Sequence, residues 1–300
     1  MGSILNPLYT AVSWVIITFH DLLSFTNNED LQWSIGIIAL VILIRIILIP
    51  LFVKQIKSQR ALTALQPHMK AIQKKHKDDR QKQSEEMMKL YKEHKTNPFA
   101  SCFPILAQAP IFFALFTVLN GISQNKPHGL LKGEYLISAQ QAHFFGAPLS
   151  GTFLGSSDGG TKLIATALII FMSATTFTTQ RQLMVKGMPK MDSSNNMMLQ
   201  QQKIMLYLFP IIFAVTGVNF PIGVLIYWST TNLWTWGQQY YVIKRNPTPG
   251  SPAYEELQKK KADKGLLDDK SNDEGGTTIT ENPTDIGGQR KQPKRKKKKR

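Results

Sequence analysis

The five most apolar runs of this 300-residue sequence contain no aspartate, glutamate or histidine. An intramembrane protease needs a pair of carboxylates or a base beside its serine, and a proton-driven pump needs an acidic relay. The apolar part of the chain therefore lacks the groups for either chemistry. The runs cover residues 33–53, 99–120, 163–182, 204–218 and 220–242.

Other site chemistries are missing as well. The single cysteine, Cys102, excludes an intrachain disulfide, and the six histidines have no metal-ligand spacing. A glycine-rich phosphate loop ending in Lys-Ser or Lys-Thr is also absent. We therefore expect no catalytic residues, no metal, no cofactor and no binding of DNA.

Basic residues are absent from the first 32 positions and common in alternate segments thereafter. Residues 54–98 contain 12, residues 121–160 contain 2, residues 181–203 contain 4 and residues 243–300 contain 16. Loops rich in Lys and Arg stay on the cytosolic side of a membrane. The pattern predicts an all-α membrane protein with five transmembrane helices, its N-terminus outside and its C-terminus inside.

One charge interrupts the first apolar run. Arg45 lies nine residues before Lys54, about 13 Å along a helix, near the middle of a bilayer. A charge at that depth costs from about 2.5 to more than 10 kcal/mol. Since no apolar run offers an acid, a hydrated cavity that receives a negative or polar substrate segment is one interpretation. The other is that backbone carbonyls freed by Pro104 or Pro110 accept its hydrogen bonds.

Two segments outside the runs carry helical patterns. Apolar residues at three-to-four spacing within 5–25 predict an amphipathic helix in the outer segment 1–32, with a sixth span as the alternative. Residues 54–98 show two apolar seams separated by a turn at 77–79, which predicts a cytosolic helical hairpin rather than a plain connector. Pro67 should restart its first helix.

The other connections are predicted from polarity alone. Residues 121–162 form an extracellular loop, and residues 183–203 form a cytosolic loop. The run 204–218 is only about 22 Å long as a helix, so it should thin the bilayer around it. Residues 243–300 are expected to be a disordered basic cytosolic tail.

The tail ends in a cluster of basic side chains. It has two interpretations, contact with anionic lipid or contact with the phosphates of ribosomal RNA. The residues concerned are Lys294, Arg295, Lys296, Lys297, Lys298, Lys299 and Arg300.

Four motifs occur in a fixed order along residues 33–243. The first is Arg45 followed by IPL at 49–51, and the second is NPF at 97–99 followed by CFPILAQAPIF at 102–112. The third is QQKIM at 201–205 before Phe209-Pro210. The fourth is FPIGVLIYW at 220–228, with Asn232 and Gln238-Gln239 beyond it. Together these motifs resemble the YidC-type membrane protein insertases, in the form found in Gram-positive actinobacteria.

The resemblance implies a fold and a set of functional residues. It implies five core helices around a hydrophilic groove that is open to the cytosol and to lipid. The groove residues would be Arg45, Gln108, Thr176, Gln180, Tyr227, Trp228 and Asn232. A hydrophobic surface along which a substrate helix slides would include Ile105, Leu106, Phe112, Phe113 and Phe116.

The resemblance also implies a location and partners. The expected location is the bacterial plasma (inner) membrane, crossed several times. The expected partners are nascent membrane proteins, the lipid bilayer, the ribosome and the Sec translocon. An anion or solute channel or transporter is the alternative function, and a purely structural assembly factor is a third.

Overall fold

The computed structural model describes residues 2–94, 96, 103–188 and 196–264. The N-terminal half of this part contains α1 (Gly2–Leu22), α2 (Glu29–Ile47), α3 (Ile49–Ala64), α4 (Gln66–Lys75), α5 (Arg80–Glu93) and α6 (Phe103–Gln124). The outer connection contains α7 (Glu134–Gln141) and a hairpin of β1 (His143–Phe144) with β2 (Ala147–Pro148). The C-terminal half contains three long helices, α8 (Gly159–Gln182), α9 (Asn196–Gly217) and α10 (Ile222–Arg245), and the shorter α11 (Pro252–Asp263).

Helix α10 is the centre of the bundle, because it packs against α2, α6 and α8. Its first two turns, Ile222 to Tyr227, are buried throughout. Helix α9 packs on α8, and α1 packs on α2 and α6. Among the described helices, Glu29–Ile47 and the continuous stretch Gly159–Gly187 are long and apolar enough to cross a membrane, and Lys203–Gly217 is a shorter apolar helix. The five-span topology stays a prediction.

The first predicted span, 33–53, is divided between two helices. Helix α2 ends at Ile47 and α3 begins at Ile49, with Leu48 between them. Pro50 explains the division, since proline has no N–H to donate and its ring conflicts with the carbonyl four residues earlier. Arg45 consequently lies in the last turn of α2.

Two predicted boundaries are wrong. Residues 183–203 were expected to be a loop, but a π-helical turn (Leu183–Gly187) extends α8, and α9 already begins at Asn196. The Met- and Gln-rich sequence before the apolar run has good helix propensity, which a hydropathy window does not measure. Helix α9 is therefore 22 residues long, and only its apolar part is short.

The prediction of disorder from residue 243 onward is also wrong for the part of the tail that the structure describes. Helix α10 continues to Arg245, and α11 packs on the π-helical turn and on α10. Ser251 caps α11 by accepting a hydrogen bond from the backbone N–H of Tyr254, and Pro252 occupies its first turn. A Ser-Pro helix start is a sequence signal that composition alone overlooks. Residues 265–300, with the basic cluster, lie outside the described residues.

The segment predicted as a hairpin contains α3, α4 and α5. Helix α4 restarts at Gln66 with Pro67 in its first turn, and the Asp79 carboxylate caps α5. Helices α4 and α5 pack together, and the hydroxyl of Tyr91 lies 3.8 Å from the sulfur of Met69. The second predicted seam consists of Met87, Met88 and Tyr91; Met88 is exposed, and the buried residue of α5 is Leu90, which the seam did not include.

A polar cluster joins α1, α2 and α7. His20 Nε2 lies 3.0 Å from the Glu29 carboxylate, which also accepts a hydrogen bond from Ser138. Trp33 Nε1 donates to Ser138 Oγ at 2.8 Å, and Tyr135 donates to Asp21. The bond from Ser138, followed by that from His20, lowers the pKa of the Glu29 carboxyl from its ordinary value. The cluster thus fixes α1 to the first turn of α2.

Candidate functional site

Arg45 has an aromatic partner from its own chain. Its guanidinium carbon lies 5.7 Å from the centre of the Phe52 ring, within the distance of a cation–π contact. Tyr227 on α10 is close enough to interact with it electrostatically. Within the part of the chain that the structure describes, no carboxylate forms an ion pair with Arg45.

Phe52 was missed by the sequence reading, although a signal for it exists. Phe52 follows Arg45 by seven residues, two helical turns, so both side chains lie on the same face of the α2–α3 stretch. Polar neighbours alone do not account for the surroundings of Arg45. A delocalised guanidinium also stacks on aromatic faces, so aromatic residues at this spacing belong among its expected neighbours.

Asn232 and Thr176 form a second polar contact, between α10 and α8. The Asn232 side chain donates to Thr176 Oγ1 at 3.0 Å and to the carbonyl of Met172 at 3.2 Å. Both polar side chains are therefore paired within the helix bundle. The structure brings these two predicted groove residues together, at the interface of α8 and α10.

Trp228 belongs to an aromatic cluster. Its ring lies 5.7 Å from Phe112 of α6 and 4.9 Å from Phe213 of α9. Phe220 stacks on it at 5.5 Å and meets Phe116 at 5.7 Å. Trp228 thus bridges α6 and α9. Its ring supplies apolar contacts to this part of the site.

The remaining predicted residues are distributed along the same helices. Gln108 on α6 and Gln180 on α8 are half-buried, and neither side chain hydrogen-bonds to another predicted groove residue among those described. Of the predicted sliding surface, Phe112 and Phe116 are half-buried in the aromatic cluster, whereas Phe113 is 56% exposed. The side chains of Ile105 and Leu106 lie outside what the structure describes.

An exposed apolar stripe on α9 was not assigned by the sequence reading. It recurs at the three-to-four spacing of one helix face. Its members are Ile204, Tyr207, Leu208, Ile211 and Val215. The stripe lies on the face of α9 opposite Phe213, which contacts Trp228, so it faces away from the helix bundle.

Comparison with known proteins identifies the family. Residues 24–249 match the family described as 60Kd inner membrane protein. The chain is 53% identical over 264 residues to a protein of Streptomyces avermitilis named membrane protein insertase YidC. The match covers 84% of this chain and 61% of that protein, so the chain spans less than two thirds of this relative's length.

Two further matches agree. A Tropheryma whipplei protein of the same name is 35% identical over 274 residues, covering 85% of this chain and 88% of that protein. A crystal structure of an active YidC insertase, with its first transmembrane domain resolved, superposes with a TM-score of 0.50 at 26% identity. The superposed region covers 77% of this chain and 46% of the solved chain.

The helical bundle and these matches define an α-helical protein of the bacterial inner membrane. The chain belongs to the family of YidC-type membrane protein insertases. The family assignment made from the four sequence motifs is thereby confirmed.

Proposed function

We propose that the chain is a membrane protein insertase and chaperone that receives nascent membrane proteins in a groove around Arg45. It acts alone or together with the Sec translocon. The observation that carries the proposal is a half-buried guanidinium in an apolar helix, with no carboxylate paired to it in the described chain. An arginine that serves only the fold would be expected to pair with an acid, because an unpaired charge in the membrane is costly.

The proposed mechanism is physical and forms no covalent bond. A polar substrate segment that crosses about 30 Å of hydrocarbon loses water from its backbone and its charges. A hydrated groove part of the way across shortens the dry path. The positive charge of Arg45, in a medium of low dielectric constant, favours acidic segments.

The apolar part of the substrate follows a separate surface. Phe113 of α6 is exposed beside Phe112 of the aromatic cluster, and α9 offers a second apolar surface, the stripe on its outward face. A substrate helix that slides along them keeps its apolar face covered. It then enters lipid, and burial of its apolar surface drives release.

Further partners belong to the same proposal. The hairpin of α3 to α5 carries many basic residues and contacts incoming substrates or their carriers. The basic cluster 294–300 contacts the ribosome through RNA phosphates. The five-span arrangement, with the N-terminus outside and the tail inside, places both segments on the cytosolic side.

Crosslinking of a stalled nascent chain tests the insertase proposal. A photo-reactive residue at Gln108 or Gln180 should capture the transmembrane segment of a ribosome-bound substrate. The matched control is Leu163, which is 69% exposed on the opposite end of α8 from Gln180. Capture at all three positions with equal yield would contradict a defined groove. Flux of small anions through vesicles containing the purified protein, without capture, would instead favour a channel.

Ribosome binding by the tail has its own test. Deleting residues 290–300, which carry nine basic side chains, should reduce co-sedimentation with ribosomes at low salt by roughly tenfold or more. The matched control deletes residues 277–287, which have the same length and no Lys or Arg. Unchanged co-sedimentation after the first deletion would exclude the ribosome contact. Loss of binding only to vesicles with anionic lipid would favour the lipid interpretation.

A further inference from the structure

An elongated cavity lies between α2, α3 and α10. Its volume is about 670 Å³, and its walls are mainly apolar side chains such as Ile42, Phe52 and Leu233. Most of the polar side chains in the wall are already paired within α10. Gln238 accepts a hydrogen bond from Trp234 Nε1 at 2.9 Å, and Thr230 donates to a carbonyl of its own helix. The cavity therefore offers an apolar ligand contact area and few free hydrogen-bonding groups.

The length and volume of the cavity indicate what kind of ligand it can hold. The lining residues of α10 extend from Thr230 to Val242, about 18 Å at the rise of an α-helix. A transmembrane helix about 10 Å wide and 30 Å long occupies roughly 2,000 Å³ or more, several times the cavity. A volume of 670 Å³ lies instead within the range in which proteins hold small ligands. One acyl chain of a lipid matches both the length and the apolar lining.

A basic group lies one helical turn beyond the cavity. Ile49, Val53 and Ile56 line it from α3, and Arg60 is the next residue of that stripe. Arg60 Nη2 donates to the carbonyl of Asn246, four residues after Val242, so this contact lies beyond the same end of the cavity.

Where α3 meets α10, beyond the end of the cavity, the two helices carry positive charges and no negative ones. Arginine has five N–H donors. The Nε donor of Arg60 is buried and has no acceptor among the described residues. Helices α3 and α10 contain no acidic residue, and α10 ends with the exposed pair Lys244 and Arg245. The end of the cavity thus presents positive charge without a negative partner on these helices.

We propose that the cavity binds one acyl chain of an anionic phospholipid, whose phosphate lies against Arg60 where α3 meets α10. The site adjoins Arg45 through Phe52, which lines the cavity and contacts the Arg45 guanidinium, but the phosphate position at Arg60 lies at the other end of α3. It rests on the membrane location of the chain and does not require the insertase activity. Bound lipid would contact α3, the base of the cytosolic hairpin, and α10, the centre of the bundle.

Native mass spectrometry of the full chain, with added phospholipid, tests the proposal. The probes are phosphatidylglycerol and phosphatidylcholine with identical acyl chains. Wild type should bind phosphatidylglycerol more tightly. Arg60→Gln should weaken that binding about fivefold, since one basic residue near a membrane surface contributes about that factor. It should weaken phosphatidylcholine binding less, because the choline cation already offsets the charge of the phosphate that both lipids carry. Arg60→Lys should keep most of the preference.

Gly237→Leu tests the apolar part of the site. Gly237 lines the cavity, and a Cβ added there meets no atom within 4 Å. The leucine should therefore fill the cavity without disturbing the helices and weaken binding of both lipids. The matched controls are Arg80→Gln on the exposed start of α5 and Gly159→Leu, where an added Cβ also meets nothing.

Three results would overturn the proposal. They are equal affinity of wild type for both lipids, an unchanged headgroup preference in Arg60→Gln, and unchanged binding in Gly237→Leu. A photo-reactive residue at Leu233 that captures a nascent chain rather than lipid would also assign the cavity to substrate. Failure of the insertase test leaves these lipid measurements unaffected, so the two proposals are distinguishable.

Discussion

Arg45→Ala should reduce the insertion of a small substrate with an acidic translocated segment by about tenfold or more. A charge-assisted hydrogen bond contributes about 1.5–3 kcal/mol, and 1.4 kcal/mol corresponds to a factor of ten. The effect should be smaller for a substrate whose translocated segment carries no acid, because only the acidic segment interacts with the lost charge. The measurement is protease protection of the substrate's translocated tail in vesicles that contain the purified variant.

Two further variants test whether the positive charge of Arg45 itself is responsible for the effect. Arg45→Lys keeps the positive charge and should retain more insertion than Arg45→Ala, although it loses part of the contact with Phe52. Arg181→Ala removes an exposed arginine at the end of α8 and should insert substrate normally. The thermal stability of each variant shows whether the bundle is intact. Full activity of Arg45→Ala on acidic and neutral substrates alike would contradict an electrostatic role.

The sequence was most informative where a physical constraint acts on single residues. Arg45 could be identified as exceptional because charge in an apolar run is costly whatever the fold. Pro67 marks the start of a helix as predicted, because proline restricts the backbone locally. The four motifs were specific enough to identify the family, which the comparisons confirm.

Contacts between distant segments could not be predicted in the same way. The bond of Asn232 to Thr176 joins residues 56 positions apart, and nothing in either local sequence specifies the other. The same holds for Arg60 and Asn246, which are separated by 186 positions. Such pairs depend on how helices pack. The sequence therefore supplied candidate polar residues, and the structure was needed to show which of them meet.

The early start of α9 and the existence of α11 were missed for a different reason. Both segments are polar, and polarity distinguishes membrane spans from their connections without indicating which connections are helical. Polarity reports exposure to water, whereas helix formation depends on backbone propensity and capping. The Ser251 cap and the Met- and Gln-rich residues before Lys203 carry that second signal.

Gly36→Leu should destabilise the bundle by about 3 kcal/mol, because Gly36 lies where α1 crosses α2. A Cβ built on Gly36 would be 3.1 Å from the backbone oxygen of Ile16 and 3.5 Å from its side chain. A backbone atom cannot rotate away as a side chain can, so the two helices must separate. Overpacking of this kind costs about 1–3 kcal/mol or more, and glycine at helix crossings in membranes serves such close approach.

The measurement is thermal unfolding of the purified protein in detergent, where about 3 kcal/mol corresponds to a fall in Tm of roughly 6–12 °C. Gly36→Ala should show a smaller fall, since the added methyl requires a shift of only a few tenths of an ångström. Gly159→Leu is the matched control, because its Cβ meets no atom within 4 Å. Leucine has higher helix propensity than glycine by about 1 kcal/mol, so propensity alone would raise the Tm of Gly36→Leu. An unchanged or higher Tm for Gly36→Leu would therefore show that α1 does not pack on α2 at this position in the native protein.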